Sequence, residues 1–450
     1  MRTMGRGRLV ALAAGVLATA LTTSACGNSG GVGGGKTAAQ DTSAKVTLEY
    51  WTWFPAQATL DKVISAYEAK NPNVTIKLHE YSNADYQKQL PLALNGGQKV
   101  DIAGVQVSAM TNTVRTQLRP VSSWESNLPS GWRSQLEAKP VQQTEQIASD
   151  KTLYSIPMGS IGSAFMYYNA AMLTKYGVAV PKTAADLAAA AAKIKAAAPG
   201  VTPVVFAGDP YWQEETLFTL VGQTSPGLSD TILHGNGKWN DPAIVQGLTE
   251  YKSLFASGAF DKSVLSLKAP RPTDLFTAGK AAFYIDGSWN DSLLSAAYRT
   301  ANKIGLADVG ATTVPVVAAN GQPAARAFAE GGLAIPKSST HVDAAAKFIA
   351  YMTVGAGVDL WAPDLVLSPA KKGYTPSSAV LNSPAATAGY TAVSTAINNA
   401  GSSRDSQQDF LTQVEGNSIL DVLNGTKTPQ AAADYMQSEW ASGRYPHGGK

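Results

Sequence analysis

An α/β fold, with helices packed on both faces of mainly parallel sheets, is predicted by three observations on this 450-residue chain. Short apolar runs alternate with amphipathic ones in strand–helix–strand order. Turn signals such as Asn71-Pro72-Asn73 and Gly96-Gly97 separate them. Several aromatic residues follow directly on the ends of the apolar runs, where open α/β sheets hold ligands. Cys26 is the only cysteine, so no intrachain disulfide forms and stability has to come from a large core. Length alone suggests two or three domains.

The chain opens with Arg2, Arg6 and Arg8, an apolar stretch over residues 9–21, and Thr23-Ser24-Ala25-Cys26. A basic start, a short apolar run and small residues before a cut form the layout of an export signal, residues 1–25. The apolar stretch is too short for a comfortable membrane span. A thiol directly after small residues resembles the lipobox of bacterial lipoproteins, in which Cys26 would take a lipid on sulfur and become the new N-terminus. Thr23 stands where that pattern usually has an aliphatic residue. An ordinary secreted protein that keeps one cysteine is the alternative reading.

Residues 26–44 are rich in Gly, Ser, Thr, Ala and Asn, a flexible linker with a root-mean-square reach of about 23 Å. Two catalytic-looking patterns inside it are rejected. Gly30-x4-Gly35-Lys36-Thr37 fits the phosphate-binding P-loop, and Gly27-Asn28-Ser29-Gly30-Gly31 fits a nucleophile elbow. Both chemistries need a strand before and a helix after, and neither is present here.

The globular part starts with a strand over 46–51, then a helix carrying Leu60, Val63, Ile64 and Tyr67 at helical spacing. A strand over 74–79, a helix near 85–94 and a strand over 100–103 follow. Further strands are predicted over 164–168, 204–207 and 281–285. Thr183-x-x-Asp186 caps a helix over 184–198. Asp241 and Pro242 open a helix over 242–255 whose face carries Ile244, Leu248, Tyr251 and Phe255. Beyond Ser368 the chain reads as mostly helical, with Phe410, Val414, Ile419 and Val422 in one segment. No repeat at a fixed period is apparent.

Charge argues against a polyanionic partner. The signal removes three arginines from 36 basic residues and no acid, leaving 33, equal to the 33 acidic residues. A balanced surface with 15% charged residues offers no field for nucleic acid or anionic lipid. The chain is well supplied with tryptophan and tyrosine (9 and 17), which suits the apolar face and hydroxyl rim of a sugar ring. Trp53, Phe54 and Pro55 follow the first strand. Trp212 lies in Asp209-Pro210-Tyr211-Trp212, after the strand over 204–207, and Trp289 in Asp286-Gly287-Ser288-Trp289, after the strand over 281–285. Gly287 allows a sharp exit there. These are candidate ligand residues, against the plainer reading of core wedges, which fits Trp124, Trp132, Trp239 and Trp440.

Six motifs in order carry a family resemblance. They are Tyr50-Trp51 with the helix closing at Asn71-Pro72; Val100-Asp101-Ile102; Tyr154-Ser155-Ile156-Pro157 with Met166-Tyr167-Tyr168-Asn169; Pro181-Lys182-Thr183; Phe276-Thr277-Ala278-Gly279-Lys280-Ala281-Ala282-Phe283 with Gly287-Ser288-Trp289; and Gly331-Gly332-Leu333-Ala334-Ile335 before a helix over 343–352. Over residues 46–440 the chain resembles the extracellular solute-binding proteins of carbohydrate ABC importers (family 1, maltose-binding-protein-like). Val100 and Ser155 depart from the family's usual proline and glycine.

The resemblance implies a two-lobed periplasmic-binding-protein-like fold with several crossover segments at the hinge, near Pro157, near Thr313 and after Thr353. Lobe one would combine 45–157 with 314–354, and lobe two 158–313 with 355–450. It implies capture of a mono- or oligosaccharide in the interlobe cleft by a monomer without cofactor or metal. Delivery would be to an ABC permease outside the cell membrane, to which the lipid on Cys26 would tether the chain. Ligand contacts would come from Trp53, Phe54 and Gln57, from Asp209, Tyr211 and Trp212, from Trp289, and from Glu330 and Gly331. Asp101 would organise a strand end instead. An exported glycosidase remains the rival class, though four histidines, no His-Glu-x-x-His and no serine elbow give it little support. A solute-binding protein for a non-sugar ligand stays open.

Overall fold

The computed structural model describes residues 45–401 and 410–444. The export signal, Cys26, the 26–44 linker and its P-loop-like match lie outside the described residues. Val46–Thr52 (β1) leads through the helix Gln57–Lys70 to Val74–Glu80 (β2), and through Asn83–Asn95 to Ile102–Val105 (β3). The first helix buries Leu60, Val63, Ile64 and Tyr67, the face read from the sequence. The second opens on Ser82, whose hydroxyl accepts from the Asp85 amide at 3.3 Å. Asp101 sits buried at the start of β3. Its carboxylate accepts from the Glu49 amide at 3.0 Å and the Ser339 hydroxyl at 2.7 Å, so it fastens β1 and a distant turn to that strand.

The remaining strands are Ile156–Ser163 (β4), Phe165–Asn169 (β5), Thr202–Val205 (β6), Ala281–Asp286 (β7), Val309–Thr313 (β8), Arg326–Ala334 (β9) and Ser368–Pro369 (β10). Two sheets result, ordered β10-β4-β9-β3-β1-β2 and β6-β7-β5-β8. Helices flank both, as the α/β class requires, but the strand directions correct the expectation of mainly parallel sheets. β1 runs parallel to β2 and β3, and β6 to β7, while β9 is antiparallel to β3 and β4, and β5 to β7 and β8. Local strand–helix–strand units give the parallel pairs of β1 with its neighbours, while β6 and β7 are joined through several helices. The antiparallel ones come from strands that return from far along the chain.

β4 and β9 carry no strand prediction, and their composition explains why. β4 reads Ile-Pro-Met-Gly-Ser-Ile-Gly-Ser and is buried along its whole length. A Cβ at Gly159 would lie 2.4 Å from the Ser368 carbonyl oxygen, and one at Gly162 2.7 Å from that of Arg326. Those glycines permit close backbone approach inside the sheet, where a sequence reading takes them for loop. The predicted caps hold elsewhere: Thr183 and Asp186 form a reciprocal capping box, and Asp241 accepts from the Ala243 amide at 2.9 Å. Separate apolar clusters underlie the two sheets. Leu48, Tyr50, Ile156 and Phe348 are among the residues of one, Met166, Val204, Phe218 and Phe283 of another. Trp239 packs on Phe218, Phe410 and Trp440 inside the latter, the structural role expected of it.

Candidate functional site

Asp209-Pro210 starts the helix Pro210–Gly222, with proline in its first turn. The Asp209 carboxylate does not cap that helix. It accepts from the Ala269 amide at 3.0 Å and lies 3.6 Å from the Lys268 ammonium, so it ties down the neighbouring loop. Trp212, Glu215 and Thr216 stand at i, i+3 and i+4 and share one face. One turn further along, the Thr219 hydroxyl accepts from the Ala164 amide at 3.0 Å, fixing this face against the β4–β5 junction. There the Ser163 hydroxyl donates to the Glu215 carboxylate.

β7 delivers the second wall. Its last residue, Asp286, passes to Gly287 and a 3-10 turn over Ser288–Leu294 that carries Trp289. Ser288, Asn290 and Asp291 of the turn are each pinned. The Asn290 side-chain amide donates to Asp286 at 3.1 Å and the Gly162 amide to the Ser288 hydroxyl at 3.0 Å, while the Tyr167 hydroxyl lies 2.6 Å from Asp291. Gly287 is needed for space rather than for a sharp turn. Its backbone is extended, and a Cβ there would lie 2.1 Å from the Trp289 ring, which folds back over it.

Trp212 and Trp289 meet with ring centroids 5.7 Å apart and planes at 45°, and Tyr211 sets its ring edgewise to Trp212 at 4.9 Å. Beside this pair lies a cavity of about 490 Å³ of non-atom space, partly open to solvent. Glu215, Thr216, Thr273, Tyr284 and Asp286 supply polar groups to it, and Phe206 and Ile285 apolar ones. Asp286 is half-buried at the cavity wall, and desolvation pushes its carboxyl above the ordinary carboxylate range. The Tyr284, Gly287 and Asn290 donors pull the other way, and the charge of Glu215 adds to the rise.

Asp291, a buried member of the turn, is raised to about 8 by burial, against the opposing hydrogen bond of Tyr167. Folded-state carboxyl groups therefore hold a proton that the unfolded chain releases near pH 4, and stability from this group falls as pH climbs from about 4 to about 8. Asp291→Asn should remove that dependence, flattening the slope of unfolding free energy by about 1.4 kcal/mol per pH unit between roughly pH 5 and 7. Urea titrations across that range check it; an unchanged slope would mean Asp291 is ionised in the folded protein.

Of the other predicted residues, Asp209 and Tyr211 adjoin the lining residues Ala269 and Trp212 without lining the cavity themselves, and the remaining ones do not line it either. Trp53 packs on Tyr86 at 5.2 Å, and Phe54 sets its edge to Trp361 at 6.5 Å. A Cβ on Gly331 would lie 3.7 Å from the Phe54 ring, which brings those two predicted residues together. Glu330 is buried on β9, 3.5 Å from the Gln106 side-chain amide, and Gln57 is exposed at the first turn of its helix. Trp289, like Phe54, packs against the apolar cluster under the first sheet, although it hangs from a strand of the second. Sequence reasoning missed Glu215 and Asp286 as site residues. Both were signalled, the one by its spacing from Trp212 and the other by its place at the end of β7.

Comparison with known proteins agrees with this architecture. The family model for bacterial extracellular solute-binding protein matches residues 51–354. An uncharacterized ABC transporter extracellular-binding protein of Pyrococcus horikoshii is 22% identical over 340 residues, 72% of each chain. An ABC substrate-binding protein of Listeria monocytogenes, solved in complex with cycloalternan, superposes with a TM-score of 0.69 at 18% identity, covering 88% of this chain and 98% of its own. The GacH receptor of Streptomyces glaucescens, solved unliganded and with acarbose, gives 0.66 at 20% identity over 88% and 97%. These solved structures share the two-lobed binding-protein fold. The family match runs from β1 through the helix Val342–Thr353 and so includes strands of both sheets; the chain belongs to the bacterial extracellular solute-binding proteins.

Proposed function

We propose that this chain captures a sugar or oligosaccharide at the Trp212–Trp289 site, in a cleft between two lobes, and passes it to an ABC permease. The observation that carries the reading is the indole pair set beside carboxylates and hydroxyls at the end of β7. Indole faces cover the apolar side of a pyranose while the acceptors take its hydroxyl rim. Lobe one takes residues 45–157 with 314–354 and lobe two 158–313 with 355–450, and hinge closure over the ligand forms the surface a permease reads. Trp53, Phe54, Gln57, Glu330 and Gly331 belong to the facing lip. Relatives solved with cycloalternan and with acarbose support a carbohydrate ligand, and membership of a binding-protein family favours capture over catalysis.

Thermal melts across a panel of mono- and oligosaccharides test the reading. A ligand present at a hundred times its dissociation constant should add about 2.7 kcal/mol to stability. If no sugar in a broad panel moves the melt, the proposal is wrong. Turnover of oligosaccharides by the purified protein would favour the glycosidase instead.

The lipid on Cys26 anchors the protein at the outer face of the cell membrane. Cys26→Ser should therefore release it to the medium or leave the signal uncleaved, because only the thiol accepts the lipid. Membrane partitioning of the variant equal to that of the wild type would rule the anchor out.

A further inference from the structure

We propose that the helix Pro210–Gly222 couples the ligand cavity to the hinge between the lobes built on the two sheets. Thr219 and Gln223, neither of which lines the cavity, are then positioning residues: they fix the angle between the lobes and through it the ligand affinity. The inference rests on capture by hinge closure and adds the residues that link site to hinge.

The chain passes from the six-stranded sheet to the four-stranded one at Ala164, between β4 and β5, and returns over 314–325, between β8 and β9. A change of angle between the lobes has to bend these segments. One face of the helix grips both. Glu215, Thr219 and Gln223 follow at four-residue spacing, so their side chains line up along it. The Ser163 hydroxyl donates to the Glu215 carboxylate, and the Ala164 amide to the Thr219 hydroxyl at 3.0 Å. The Gln223 side chain donates to the Pro315 carbonyl oxygen at 3.0 Å and accepts from the Val317 amide at 2.9 Å. Its backbone carbonyl takes the Gln322 amide at 2.9 Å. The far end of the return segment is fastened too, since Arg326 opens β9 and pairs with Glu214 of the same helix. Glu214, Glu215, Thr219, Gln223 and Arg326 are each at most 3% exposed, so water does not compete for these contacts.

The other end of the helix belongs to the site. Trp212, Glu215 and Thr216 line the cavity, so Glu215 stands in both assemblies. A ligand seated against these residues and Trp289 fixes where the helix lies, and the bonds of Thr219 and Gln223 carry that position to the two crossovers. Gln223 lies eleven residues beyond Trp212, about 16 Å along the helix axis and out of reach of a ligand in the cavity. An effect of Gln223 on affinity therefore travels through the helix and the crossover. Freeing the crossovers widens the range of lobe angles and thins the population of the binding-competent one. Apparent affinity falls by that fraction.

The test measures the distance between spin labels on the full mature chain with Cys26→Ser, attached at the exposed positions Lys62→Cys and Ala192→Cys, one on each lobe. Gln223→Leu and Thr219→Val should each broaden the ligand-free distance distribution, and Thr219→Ser, which keeps the hydroxyl, should leave it narrow. Leu248→Ala, a truncation in the buried core under the second sheet, should lower the melting temperature without broadening it. Calorimetric titration with maltotriose and acarbose should show binding weakened about fivefold or more by Gln223→Leu and Thr219→Val, and near wild type for Thr219→Ser. Should Gln223→Leu fail to fold, the two Thr219 variants decide. Distributions as narrow as the wild type in both variants overturn the inference and leave the carbohydrate reading standing. Equal broadening by Leu248→Ala overturns it as well, and so does unchanged affinity beside a broadened distribution. A wild type that binds neither probe counts against the carbohydrate reading alone; the ligand-free distances still decide the role of Thr219 and Gln223.

Discussion

Trp289→Ala is expected to weaken ligand binding by about thirtyfold or more while the ligand-free protein stays folded. The two halves of that result have separate causes. Trp289 stands half-buried on a turn whose neighbours hold the backbone without it: Asn290 on Asp286, Ser288 on Gly162, Asp291 on Tyr167. Removing the indole therefore leaves the turn in place. It does remove one of the two rings of the 5.7 Å pair, and with it a ligand face that no neighbour can supply. Losing a stacking face from a desolvated site costs about 2 kcal/mol, which is the thirtyfold. The measurement is paired: melting of variant and wild type without ligand, then the ligand-induced shift of each. If the variant melts like the wild type and keeps the whole shift, Trp289 lies outside the binding site. If it fails to melt cooperatively, the indole is a wedge between the two sheets and its packing on the first core is what matters.

How much of this was legible in the sequence depended on the range of the interactions involved. β1 to β3 and their helices obey local rules, alternation and capping, and fall within a few residues of the positions read from sequence. β4 and β9 obey no local rule. Their glycines serve the approach of strands that arrive from more than 150 residues away, as Ser160 pairs with Ala329. The site divides in the same way. Trp212 and Trp289 were found because each follows a strand end, a local signal. Glu215 could have been found from its position one turn beyond Trp212. Arg326 could not, because an isolated arginine in an Arg-Ala-Phe-Ala-Glu stretch reads as surface, and its closest partner lies 112 residues earlier in the chain.

That arginine is the subject of the largest stability effect. Arg326→Met should cost about 3–5 kcal/mol of folding free energy, more than the loss of any exposed ion pair in the molecule. Its guanidinium is 1% exposed, bonded to Glu214 at 2.5 Å, 3.6 Å from Glu215 and stacked over the Phe218 ring at 4.9 Å. Burial lowers the affinity of Arg326 for its proton, and the charges of Glu214 and Glu215 more than restore it, so the net shift is upward. Glu415 is pushed well above the ordinary carboxylate range, first by its own burial and then by the charge of Glu214, against the opposing charge of Arg326. Methionine fills most of the volume and keeps contact with Phe218, but it leaves two carboxylates buried without their cation. Taking up protons relieves that loss. Their folded-state affinity for protons then exceeds that of the unfolded chain, so the variant should lose stability as pH rises and recover it as pH falls. The deficit against wild type is therefore expected to be smaller near pH 5 than near pH 7.5, and Glu214→Gln in the variant background should recover part of it. Urea unfolding of the three proteins at both pH values decides the matter. A deficit below about 1 kcal/mol, or one that grows on acidification, would mean that Arg326 is held by packing on Phe218 rather than by its charge.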